Sequence, residues 1–80
     1  MEVVKGSVVG AKAGRDKGRF FVVLDFDGKY ALICDGKRRT LEKPKRKKEK
    51  HLSPSGIIIE SGSMRTDREI RKTLSKFNKI

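Results

Sequence analysis

The chain has 80 residues, with 21 Lys and Arg against 10 Asp and Glu, for a formal net charge of +11 and a pI near 10.2. That length supports one thin-cored domain and leaves little room for a large buried cavity. No apolar run approaches the ~20 residues needed to cross a bilayer, the first residues lack the apolar stretch of a signal peptide, and the lone Cys34 excludes an intramolecular disulfide or a multi-cysteine zinc site.

Ser7–Lys12 is a short apolar run that reads as a first strand. A loop framed by glycines, Ala13–Gly18, follows it and places Arg15 and Lys17 between Gly14 and Gly18. In Arg19–Phe26, Phe20, Val22, Leu24 and Phe26 alternate with the period of two that a strand requires. Asp27-Gly28 then separates this strand from Lys29–Cys34, and a second Asp-Gly stands at Asp35-Gly36. Asp-Gly between strand-like runs is the signal for a type I′ hairpin, so the pattern predicts an antiparallel meander.

Residues 37–41 read as a basic strand running into the segment 43–50, which Pro44 restricts to an edge or extended form. Ser53-Pro54-Ser55-Gly56 reads as a turn, Ile57–Glu60 as a β-branched run closing the sheet, and Ser61-Gly62-Ser63 as a short flexible joint. Thr66-Asp67-Arg68-Glu69 matches a capping box. Ile70, Leu74 and Phe77 then form one apolar stripe on a helix spanning 66–78. The expected architecture is mainly β: a small antiparallel barrel over residues 1–60, with a basic arm at 37–50, then a joint and C-terminal helix over 61–80.

The charge is uneven along this plan. Residues 1–36 carry six basic and five acidic side chains, a net of +1. Residues 37–51 carry nine basic (Lys37, Arg38, Arg39, Lys43, Lys45, Arg46, Lys47, Lys48, Lys50) and two acidic, a net of +7, and the remainder adds +3. A solvated tail needs no such density in so small a domain, whereas a polyanion rewards it, because each neutralised phosphate releases counterions. Nucleic acid is therefore the expected partner, ahead of an anionic membrane face. Arg supplies a planar fork for phosphate oxygens and Lys a mobile point charge.

Catalytic signals are missing. His51 is the only histidine. Cys34, beside Leu32 and Ile33, reads as a small buried hydrophobe rather than a reactive thiol. Asp25-Phe26-Asp27-Gly28 opens like a calcium loop but lacks the third ligand and the terminal Glu, and the glycine loop is too short for a P-loop. The chain is expected to be no enzyme and to need no cofactor or metal.

The run from Gly6 to Leu24 (GSVVGAKAGRDKGRFFVVL) resembles the KOW motif of ribosomal and transcription-elongation proteins. The continuation Tyr30–Gly36, Lys37-Arg38-Arg39 and the basic run ending in His51-Leu52 is similar to the archaeal and eukaryotic large-subunit ribosomal proteins numbered fourteen and twenty-seven, so that the resemblance spans roughly residues 3–60. It implies an SH3-like barrel that binds RNA, most readily ribosomal RNA, as a cytoplasmic monomer that also meets ribosomal proteins. By the same resemblance Gly14 holds the loop conformation while Arg15, Lys17 and Arg19 face RNA. The chain is shorter than those proteins and adds a capped helix, which points to a small bacterial relative. The residues expected at the interface are Arg15, Lys17, Arg19, Lys37, Arg38, Arg39, Lys43, Lys45, Arg46, Lys47 and Lys48, with Gly14 and Gly18 shaping the loop. A protein-interaction module, docking through a barrel edge or the helix, is the alternative.

Overall fold

A computed structural model describes residues 3–78. Five antiparallel strands, β1 (Ser7–Ala11), β2 (Phe20–Phe26), β3 (Tyr30–Cys34), β4 (Lys45–Lys48) and β5 (Leu52–Ile58), form one sheet in the order β4-β3-β2-β1-β5. A 3₁₀ turn at Glu49–His51 connects the two outermost strands. It is tied across the fold by Glu49 N–H to the Lys29 carbonyl and by Lys12 N–H to the His51 carbonyl. One helix, α1 (Asp67–Leu74), follows near the C-terminus. This is the mainly β architecture with a C-terminal helix that the pattern predicts, a small SH3-like barrel as the resemblance implies.

Both faces of the sheet are covered. Val3, Val9, Ala11, Phe21, Val23, Ala31, Ile33 and Leu52 fill the barrel interior. Val8, Val22 and Cys34 on the outer face pack against Met64, Ile70 and Leu74 from the C-terminal segment, with Phe20, Leu24, Leu41, Ile59 and Phe77 at the margin. The alternation read in β2 therefore belongs mostly to the face that carries the helix. It breaks at Leu24, an extra residue between the pairs Val23↔Ile33 and Asp25↔Leu32, and this bulge turns Phe26 inward.

The helix begins as the capping box predicts, with the Thr66 hydroxyl accepting from Glu69 N–H at 3.1 Å. The Glu69 carboxylate accepts a hydrogen bond from the Thr66 hydroxyl at 3.2 Å rather than from a backbone amide. Regular helix ends at Leu74, four residues before the expected boundary. Phe77 sits in the following turn and meets Phe20 with ring centroids 5.5 Å apart. Asn78 then accepts from Phe20 N–H at 2.7 Å and donates to its carbonyl at 3.0 Å, so that one side chain clamps the C-terminal segment to the start of β2. The expected joint at 61–63 is a 3₁₀ turn that runs to the buried Met64.

Three further expectations are corrected. Among the described residues no non-glycine has positive φ, so neither Asp-Gly pair forms a type I′ turn. Asp27 and Asp35 instead shape their turns with their carboxylates. Asp27 Oδ1 accepts from Lys29 and Tyr30 N–H, which holds its pKa below the usual carboxylate value. Residues 37–41 are not a strand, because the backbone there wraps around the Asp35 carboxylate, and the basic strand starts at Lys45, directly after Pro44. Ser53–Gly56 is not a turn between strands but part of β5. The register against β1 jumps between Val9↔Pro54 and Ser7↔Ile58, and the Ser55 hydroxyl bonds the Val8 carbonyl at 2.7 Å. Pro54 is tolerated because β5 is an edge.

Candidate nucleic-acid interface

The glycine loop turns on its two framing residues. Gly14 and Gly18 have φ of 80° and 86°, left-handed values that a β-branched residue tolerates poorly. Lys17 N–H bonds the Gly14 carbonyl and Gly18 N–H the Ala11 carbonyl, which leaves Arg15 and Lys17 exposed on the rim. Asp16 between them is only 4% exposed.

Its burial has a partner across the molecule. Arg39 Nη2 lies 3.3 Å from Asp16 Oδ2, and Arg19 Nη2 lies 3.7 Å from Asp35 Oδ2. The two ion pairs cross, each joining the region of the glycine loop to the loop at 35–39. Asp35, 3% exposed, also accepts the backbone N–H groups of Lys37, Arg38 and Arg39 at 2.9–3.0 Å. The loop so formed presents Lys37 and Arg38 to solvent beside the glycine loop. Arg19 and Arg39 are thus held by carboxylates and act first as ties. Arg15, Lys17, Lys37 and Arg38 are the exposed cations of the joined loops.

The basic arm is divided by the pleat of β4. Lys45 and Lys47 stand opposite Ile33 and Ala31 on the interior face, while Arg46 and Lys48 stand opposite Leu32 and Tyr30 on the outer one. Lys47 runs its stem over the barrel and donates from Nζ to the Ala13 carbonyl at 2.9 Å, which pins the glycine loop from the other side. Arg46 lies over the Tyr30 ring, 3.8 Å from its centroid. Four consecutive cations therefore do not form one continuous surface. Lys43 is exposed in the connection before β4.

No protein-family model and no curated protein matches this chain. Among the described residues no helix is long and apolar enough to cross a membrane, and no three His, Cys, Asp or Glu side chains come together as a metal site.

Sequence reasoning missed Arg71. Its Nη1 donates to the Gly36 carbonyl at 2.6 Å, and with Arg19, Asp35 and Lys37 it lines a cleft of about 150 Å³ under the helix. No spacing in the sequence links Arg71 to a loop 35 residues earlier. Cys34 is fully buried, and desolvation pushes its thiol up to about 11, with smaller contributions from nearby Asp67 and Asp35.

Proposed function

We propose that the chain is an RNA-binding module that grips the phosphate backbone through the joined glycine and 35–39 loops. The crossed Arg19–Asp35 and Arg39–Asp16 pairs carry this reading: they hold Arg15, Lys17, Lys37 and Arg38 on neighbouring rims with no carboxylate bonded to them among the described residues. Lys43 and Lys45 extend the positive field along the arm, and Lys48 and Arg46 extend it over the outer face. Arginine forks suit phosphate oxygens bidentately, and loop backbones already fixed by the fold lose less entropy on binding. The sequence resemblance to large-subunit ribosomal KOW proteins directs the choice of RNA to ribosomal RNA, met in the cytoplasm on or near the ribosome. Binding of this kind is led by charge and tuned by the shape of the RNA.

The test is a fluorescence-anisotropy titration of a structured ribosomal RNA fragment across a salt series. Replacing Arg15, Lys17, Lys37 and Arg38 together by Gln should reduce the slope of log affinity against log salt by about 3 units, at ~0.7 per phosphate contact. An unchanged slope refutes the proposal.

A second reading has one observation in its favour. Ile57 and Ile58, 45% and 63% exposed, stand on the edge strand β5, where a protein partner could add a strand. Such a complex would survive high salt, whereas the RNA complex would not.

A further inference from the structure

A groove runs beside the cationic loops and differs from the other hollows around them. It is lined by Gly10, Ala11, Gly18, Phe20 and residues 53–55, and encloses about 400 Å³. Its floor follows from register: Gly10 stands opposite Phe20 on one side and Ser53 on the other, so the three share a row and a face. The missing side chain at Gly10 leaves room on this face, part of which the Phe20 ring takes up. A Cβ built there would lie 3.4 Å from the Phe20 ring, which leans over the strand. Pro54, opposite Val9 and so alternating to the other face of the strand, borders the groove at the sheet edge.

Charge selects the occupant. The hollow beside Tyr30 and Arg46 is lined by Asp25 and Asp27, and the cleft beside Arg71 includes Asp35, so both set carboxylates against an anionic chain. The groove at Gly10 has no carboxylate in its lining, and its wall at Gly18 is the end of the loop that bears Arg15 and Lys17. A partly buried aromatic ring at the groove, the exposed Ser53 and adjoining cations suit a flat heteroaromatic ring attached to a phosphate chain.

We infer that this groove takes a single unpaired nucleobase of the bound RNA, stacked against Phe20 with its flanking phosphates on Arg15 and Lys17. The inference rests on the RNA-binding reading and adds to it a preference for a bulged or splayed nucleotide over an uninterrupted duplex. Unstacked bases are the part of RNA that aromatic side chains can reach, and stacking tolerates any base.

Three RNA hairpins test this at one fixed salt concentration: one with an uninterrupted stem, one with a single bulged uridine, and one with an abasic residue at the bulge. The bulged uridine hairpin should bind about tenfold more tightly than the other two, the lower part of the range for one stacked base. Phe20→Leu, which removes the ring, and Ser53→Leu, which fills the trough from an exposed position, should each erase that preference and leave uninterrupted-stem binding unchanged. Melting curves establish that each variant folds, and Ser53→Leu, at an exposed position on the edge strand, carries the test if Phe20→Leu does not fold. Equal, salt-sensitive binding of all three hairpins overturns the groove and leaves the phosphate-led reading standing. A preference that persists in folded Ser53→Leu also overturns the groove. Failure of all three hairpins to bind overturns both readings.

Discussion

Replacing Asp35 by Ala would remove the one carboxylate on which the 35–39 loop is built. Oδ1 accepts three backbone amides, from Lys37, Arg38 and Arg39, and Oδ2 holds Arg19 at 3.7 Å, in a residue only 3% exposed. A hydrogen bond to a charged acceptor contributes roughly 1.5–3 kcal/mol, and a buried donor left without a partner costs about 1–3 kcal/mol. Full addition overstates the loss, because the loop can open to water and Arg19 is 30% exposed, which screens its ion pair. We expect Asp35→Ala to destabilise the fold by about 3 kcal/mol, which for a domain of this size lowers Tm by roughly 12–24 °C. Asp35→Asn keeps an oxygen for the amides and loses only the charge, so it should cost about 1 kcal/mol. Thermal melts followed by circular dichroism, with the two variants side by side, separate amide anchoring from ion pairing. The loosened loop of the Ala variant should also bind RNA less tightly at fixed salt. An Asp35→Ala protein that melts within about 0.5 kcal/mol of the parent, as an ordinary surface variant does, would refute the claim that this carboxylate organises the 35–39 loop.

Leu74 is 1% exposed in the cluster under α1, and Leu74→Ala should cost about 2–4 kcal/mol in urea unfolding, with the helical signal lost in the same transition as the strands. Gly14→Val should cost about 1–3 kcal/mol through backbone strain at φ 80°, whereas Arg15→Ala and Lys17→Ala should leave stability within about 0.5 kcal/mol and weaken RNA binding in the titration. The Cys34 thiol has its pKa raised in the folded state to about 11 from 9.0, so folding holds its proton more tightly than the unfolded chain does. The stability this contributes is present below pH 9 and drains away above it. Melts from pH 8 upward should therefore show the difference between the parent and Cys34→Ala shrinking as pH rises.

What the sequence made legible was local. The strands flanking the glycine loop show their period of two, and the helix start is written in Thr66 and Glu69, because these signals lie within a few residues of one another. What stayed hidden was set by partners far along the chain. The Leu24 bulge is visible only against β3, and before it is known Phe26 appears to share a face with Phe20. Arg19 and Arg39 look like free cations until Asp35 and Asp16 arrive from the opposite loops. The carboxylates of Asp27 and Asp35 override the hairpin preference of Asp-Gly by bonding their own following amides. In the basic arm, net charge gave the density but not the pleat, which sends alternate cations to opposite faces.

The two-faced sheet bears on the order in which this chain can complete itself as it is synthesised. Val8, Val22 and Cys34 are all in place once the third strand has emerged, yet the residues that cover them, Met64, Ile70 and Leu74, come thirty to forty residues later. Until then the nascent hairpins carry a bare apolar patch on one side, the kind of surface that draws chaperones or other chains. The cation-rich stretch from Lys37 to Lys50 emerges in that same interval. It gives the unfinished molecule a strong like-charge repulsion from its own copies at the stage when they would most readily stick together.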